Sequence, residues 1–216
     1  MVLRLSRVLD VPLRERNALL LAAGFAPVYL QTRLNAPELG AVGNALDAIL
    51  LQQEPFPALI MDRHWNILRA NEAAGRLLRL LLGERASSLK NNLLHRMFDP
   101  RAVRPFIENW DQVAEWLVQR VHRECVGCVK DERTLELLGE LARYPGVSQS
   151  WATAPPHVPL SPIVPVSYVK EEQRFDYFST VTTLGTPQDI TLQEIRIECF
   201  FPFNPATDAA ARRLAE

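Results

Sequence analysis

The spacing in this chain that fits metal or redox chemistry is His122-x-x-Cys125-x-x-Cys128. Imidazole and thiolate are the donors a tetrahedral zinc ion takes, and two cysteines with two residues between them can cycle as a redox pair. Zinc needs four ligands, however, and no second Cys/His pair stands at a useful interval. His95, His157 or Cys199 would have to be brought in by the fold. The third reading, thiols near a helix end with no special chemistry, asks for nothing more, and no metal or cofactor is expected. The chain has no glycine-rich phosphate loop, no G-x-S-x-G elbow and no H-E-x-x-H pair. Asp62 and Asp99 fall in turns, where a carboxylate that accepts neighbouring backbone amides is explained without catalysis. The expectation is a binding protein, not an enzyme.

Binding has better support. Trp110, Val113, Ala114, Leu117, Val118 and Val121 recur at helical spacing, and the last turns of that helix carry Arg120, His122 and Arg123. Near the end of the chain, Phe175, Tyr177, Ser179 and Val181 alternate with Asp176, Phe178 and Thr180. Ile195, Ile197, Cys199 and Phe201 then alternate with Glu194, Arg196 and Glu198, a pattern that reads as a half-buried strand with its charged face in water. Inward-facing Ile195, Ile197 and Cys199, with Phe178 beside them, would meet Trp116, Leu117 and Val121. A cavity there would be apolar. At about 0.8 kcal/mol per buried methylene, a chain of about twelve methylenes gains on the order of 10 kcal/mol before binding costs, which favours an alkyl ligand over a polar metabolite. Arg120, His122 or Arg123 could hold a carboxylate. The same stripe could equally pack as solid core, and the four tryptophans, Trp65, Trp110, Trp116 and Trp151, are as readily explained by burial.

The elements that would position these residues are readable in outline. Residues 1–24 give two short helices, the second running from Pro12 to the stop at Gly24. Residues 37–53 form a helix with Leu39, Val42, Leu46, Ile49 and Leu50 on one face, ended by Pro55 and Pro57. Residues 58–61 and 65–70 read as a hairpin. Asn71 caps a helix that runs to Gly83, Asn92 to Pro100 makes a short helical turn, and another helix spans Leu135–Leu141. Five prolines between 154 and 165 suggest an irregular covering loop, two strands follow, residues 185–189 read as the loop joining them, and residues 206–214 read as a short exposed helix. Helices, a hairpin, more helices and closing antiparallel strands amount to an α+β layout. A net charge of −1 gives no field for a polyanion, and no apolar run approaches the roughly 20 residues that span a bilayer. With no signal-peptide pattern at the start, the expected address is the cytoplasm.

The run from Pro57 to Ala74, the segments Asn92-Leu93-Leu94 through Phe98-Asp99-Pro100 and Asn109 to Ala114, and the Ser150-Trp151 pair, taken in that order, resemble the ligand-binding domain of MmyB-like transcription regulators. The resemblance covers about residues 55–203. It implies a PAS-like antiparallel sheet with helices on one face, preceded by N-terminal helices, that senses a small apolar molecule, fatty acids first among the candidates. It also implies a homodimer. In that family the domain follows a helix-turn-helix of the Xre type, and Leu5 to Asn17 is similar to the last helices of such a reader. Residues 1–35 are then expected to be the end of that domain and a linker, 36–205 the sensory domain and 206–216 a tail. DNA contact is expected only through a reader lying before Met1. The chain departs from the family pattern in having His122 near the end of the Trp110 helix, where an arginine is usual, and Ser161-Pro162-Ile163-Val164-Pro165 where a glycine and a His-Pro pair are usual. A ligand-free dimerisation or interaction module is the alternative.

Overall fold

The computed structural model describes residues 1–126, 131–152 and 163–216. Its elements are α1 (Val2–Val8), α2 (Leu13–Ala22), α3 (Gly40–Gln52), β1 (Ala58–Met61), β2 (Ile67–Ala70), α4 (Glu72–Leu82), α5 (Leu93–Phe98), α6 (Trp110–Val126), α7 (Glu132–Leu141), β3 (Val166–Lys170), β4 (Gln173–Thr182), α8 (Ile190–Glu194), β5 (Arg196–Pro202) and α9 (Pro205–Ala215). The strands form one antiparallel sheet in the order β2-β1-β5-β4-β3. The last strand therefore inserts at the centre beside the first, the arrangement of a PAS-like domain.

Side-chain hydrogen bonds fix the hairpin and the helix after it. Asp62 accepts the backbone amides of His64 and Asn66 at 2.8 and 2.9 Å, closing the β1–β2 turn. That turn holds Trp65 at a φ of 67°, a left-handed conformation that costs a side-chain-bearing residue about 1–2 kcal/mol. The indole is 1% exposed, and its burial offsets the cost. Asn71 caps α4 by accepting from the Ala74 amide, accepts the Ala58 amide as well, and donates to the Phe56 carbonyl, so one side chain joins the end of α3's loop, β1 and α4.

An apolar cluster packs against each face of the sheet. The main core lies between one face and α4, α5, α6 and α7, with Leu59, Met61, Phe98, Trp110, Leu117, Val121, Tyr168, Tyr177 and Phe200 among its buried members. A smaller cluster lies on the reverse face, where Leu46 and Leu50 of α3 meet Ala58, Ile60, Ile195 and Ile197.

Three elements depart from expectation. Between the proline-rich stretch and β4 stands an additional strand, β3. It pairs with β4 through a tight turn in which Glu171 has a φ of 55°, a position glycine or asparagine usually marks. The β4–β5 connection contains α8, which Asp189 caps through the Thr191 amide at 2.8 Å. And α9 is not an exposed appendage: Thr207 and Ala211 are buried, and the Thr207 hydroxyl accepts the Asp176 amide at 3.0 Å. Most of the proline-rich stretch, residues 153–162, lies outside the described residues.

Candidate functional site

Between the sheet and α5–α6 lies a cavity of about 180 Å³ whose walls include Met97, Val113, Trp116, Leu117, Val166, Tyr168, Ser179, Glu198 and Phe200. A second, of about 230 Å³, lies between the sheet and α4, lined by Leu59, Ile67, Ala74, Leu77, Leu78, Leu81 and Val103 among others. Leu93, Met97, Tyr168 and Phe200 belong to both walls. An apolar cavity of about 150 Å³ stays dry and holds a benzene ring, so each space can take a ligand fragment. Neither alone reaches the roughly 300 Å³ at which ordinary ligand sites begin, and the two joined exceed it. Met97, on both walls, is unbranched and adaptable in shape.

The walls are positioned by ordinary local rules. Asn92 caps α5 through the His95 amide and donates to the His64 carbonyl at 2.8 Å, setting α5 against the hairpin turn. The Trp110 Nε1 donates to the Met97 carbonyl at 3.0 Å, fixing α6 on α5. Asn109, just before α6, accepts the Ser167 amide and donates to the Pro165 carbonyl, fixing β3 across the cavity from α6.

The polar wall groups are Ser179, Glu198 and Tyr168 in the first space, with Tyr168 shared by the second, and the Arg96 guanidinium in the second. Glu198 on β5 is 5% exposed; its Oε1 accepts the Ser179 hydroxyl at 2.6 Å, while Oε2 has no hydrogen-bond partner among the described residues. Burial pushes its carboxyl above the usual carboxylate range, opposed by the Ser179 bond and by the charges of Arg120 and Arg196. The Tyr168 hydroxyl lies 3.7 Å from the Met97 sulfur, and its deep burial pushes it well above the ordinary phenol range.

Of the residues singled out from the sequence, Trp116 and Leu117 line the first cavity. Val121 is fully buried in the same core but lies on neither cavity wall. Ile195, Ile197 and Cys199 do not face α6: Ile195 and Ile197 pack with α3 on the reverse face, and half-buried Cys199 packs against that cluster. Phe178 stacks on its cross-strand partner Phe201 at 5.5 Å, also away from the cavity. The expectation of a solvated charged face on β5 is likewise corrected. Arg196 pairs with Glu124 at 2.9 Å and lies over Trp65, and Glu198 is buried against Ser179. Arg196 is neutralised by Glu124 and Glu198 is hydrogen-bonded by Ser179 inside the molecule, so both residues leave the solvent.

The proposed carboxylate holders are also elsewhere. The Arg120 guanidinium lies 4.5 Å from the Trp65 ring and 5.4 Å from Trp116, with Glu124 at 3.4 Å. His122 is half-buried and Arg123 exposed, and neither lines either cavity. The missed wall residues Ser179, Glu198 and Phe200 are the out-of-phase partners of those chosen, and only the knowledge that α3 covers the reverse face would have selected them.

Asp62 and Asp99 act as turn residues, Asp99 accepting the Arg101 amide at 2.8 Å. His95 bonds Tyr144 at 2.9 Å and lies 2.9 Å from Glu140. Among the described residues no group of three or more His, Cys, Asp or Glu could hold a metal ion; the Cys125 side chain, Cys128 and His157 lie outside them. No described helix is long and apolar enough to cross a membrane.

A polar network joins the N-terminal helices to this domain. Arg14 of α2 makes a two-pronged ion pair with Glu194 at 2.7 and 2.8 Å, and Arg63 in the β1–β2 turn bridges Glu194 and Asp131 at 2.9 and 2.7 Å. Burial raises the Asp131 carboxyl, but hydrogen bonds from Thr134, His64 and Arg63 outweigh it and hold the group at about 2. Residues 42–214 match the sequence family described as the MmyB-like transcription regulator ligand binding domain. No curated protein matches the chain.

Proposed function

This chain belongs to the family of MmyB-like transcription regulator ligand binding domains, and on that premise we propose that it binds an elongated apolar molecule, fatty-acid-like in its chain, in the two cavities that share Leu93, Met97, Tyr168 and Phe200. That shared wall carries the reading: two apolar spaces with wall residues in common suit one long ligand better than two compact ones. It acts by binding, not catalysis, and occupancy is read at the N-terminal helices. β5 is the natural lever. Its Glu198 and Phe200 line a cavity, Ile197 on its other face packs against α3, and Glu194 just before it holds Arg14 of α2. A shift of this strand driven by a ligand therefore reaches both α3 and α2, and through them a DNA-binding partner domain.

Denaturing extraction and native mass spectrometry of the purified protein should reveal a co-purified alkyl compound, and the stripped protein should take up a dansyl-labelled alkyl chain. Absence of both overturns the reading. A second reading, an interaction module that works without ligand, is favoured by the exposed apolar residues Val8, Leu9 and Leu21, which are 79%, 72% and 60% exposed. On either reading these side chains support a homodimer formed through α1 and α2. Val8→Glu with Leu9→Glu should give a monomer by sedimentation; if the alkyl probe is still bound, sensing and association are separate properties.

A further inference from the structure

Away from the apolar cavities, an open cleft of about 450 Å³ lies where the N-terminal segment meets the sheet domain. Arg14 of α2 and residues 31–35, between α2 and α3, form one side; the β1–β2 turn, β2 and α8 form the other. Its volume falls within the roughly 300–1,000 Å³ of small-molecule sites. Four guanidiniums line it, those of Arg14, Arg33, Arg63 and Arg69, against two carboxylates, Asp62 and Glu194.

The acceptors in this cleft are spent and the donors are not. Asp62 takes the His64 and Asn66 amides and the Asn66 side-chain amide at 2.8, 2.9 and 2.9 Å. Glu194 takes Arg14 at 2.7 and 2.8 Å and Arg63 at 2.9 Å, so its Oε1 is shared by two guanidiniums. Each guanidinium carries five N–H donors. Arg69 uses Nη1 alone, on the Gly43 carbonyl at 2.9 Å and on Asp47 at 2.6 Å. Arg33 is exposed, and its side chain has no partner among the described residues. Asp47 and Asp131, outside the wall, pair with Arg69 and with Arg63 and His64 and bring the formal charges into balance, so what the cleft lacks is acceptors. The Asp47 carboxylate is 62% exposed, and its hold on Arg69 is a weak surface pair that an anion in the cleft can replace.

We propose that this cleft binds a small soluble oxyanion, a phosphate or carboxylate group, as a second ligand distinct from the apolar one, and that the bound anion fastens α2 and residues 31–35 to the sheet domain. The planar fork of arginine matches either group with two parallel hydrogen bonds. Arg33 supplies the uncommitted charge from one side of the cleft, Arg63 and Arg69 the spare donors from the other. An anion held from both sides stabilises their association by as much as that association strengthens its binding.

Calorimetric titration of the full-length protein with inorganic phosphate and with citrate, at an ionic strength held constant with sodium chloride, tests the site. At least one of the two should bind saturably, one ion per chain, with a Kd of about 1 mM or tighter. Arg33→Ser should weaken that binding at least tenfold, through loss of one charge-assisted pair. Arg143→Ser, which removes an exposed charge outside the cleft, should leave it unchanged. Because the Arg33 side chain has no partner to lose, the substitution should leave the unfolding midpoint in place. The bound ion should also slow hydrogen exchange in α2 and residues 31–35 severalfold in the parent protein but not in Arg33→Ser. Absence of saturable binding by both ions overturns the proposal. Equal weakening by the two substitutions marks a diffuse charge effect and overturns it too, as does binding that leaves the exchange unaltered. Uptake of the alkyl probe is measured separately, so the proposed function stands or falls on its own result.

Discussion

Filling the first cavity from α6 should stabilise the protein, and the sign of the effect separates a cavity from solid core. Val113 is 2% exposed and lines the 180 Å³ space. Val113→Phe adds about four carbon atoms, which at about 0.8 kcal/mol each gain roughly 3 kcal/mol if the ring occupies empty space. Lost rotamer freedom and imperfect fit take back about 1–2 kcal/mol, and the change in helix propensity is near zero. The expected net is a stabilisation of about 1–2 kcal/mol, or several degrees in Tm. Leu46→Phe is the control. Leu46 is fully buried in the reverse-face cluster and lines neither cavity, so an enlarged ring there should cost about 1–3 kcal/mol through strain. Urea unfolding, with midpoints compared at constant m-value, measures both. Val113→Phe should also weaken uptake of the alkyl probe severalfold or more. If Val113→Phe destabilises as much as Leu46→Phe, the space beside α6 is closed core and the ligand reading loses its ground.

Further outcomes follow from the polar groups. Because burial raises the Glu198 carboxyl, its contribution to stability is complete below the ordinary carboxylate range and is lost as pH rises toward its folded value, by up to about 1.4 kcal/mol per pH unit; Glu198→Gln should flatten that limb in urea titrations. Asp131 works in the opposite sense. Held at about 2, it contributes stability above pH 4 that is lost as pH falls toward 2, about 1–2 kcal/mol after allowing for partial solvent contact, and Asp131→Asn should remove this acid limb only. Asn71→Ala should cost about 2–3 kcal/mol in thermal or urea unfolding, since it removes a helix cap and leaves the Ala58 amide and the Phe56 carbonyl short of partners. Arg14→Ala should speed hydrogen exchange in α2 while moving the midpoint of the sheet domain by less than about 1 kcal/mol.

Elements governed by one local signal were readable from the sequence. The α6 periodicity, the Asn71 cap and the Asp62 turn each rest on residues within a few positions of one another, and each stands in the structure where the pattern placed it. β3 was not readable in this way: it is five residues long, and its turn carries Glu171 and not glycine. The facing of β5 was not readable for a different reason. The alternation in β5 is plain in the sequence, but which of its two sets of residues faces which layer depends on α3, more than a hundred residues earlier in the chain. With a cluster on each side of β5, apolarity alone no longer tells which set of its residues turns toward α6.

That one-residue phase has a functional consequence. Were Ile195, Ile197 and Cys199 the cavity wall, β5 would offer a ligand only grease, and its charged residues would be idle in water. With Glu198 and Phe200 there instead, the strand presents one polar group and one ring to the cavity, while Ile197 packs against α3 on the other face. Packed interiors resist gradual deformation, so a strand clamped between two clusters transfers displacement instead of absorbing it. The charge that makes β5 look like a surface strand is then what makes it the central one: Arg196 anchors it to Glu124 on α6, Glu194 just before it anchors α2, and Glu198 faces the space where the ligand would lie.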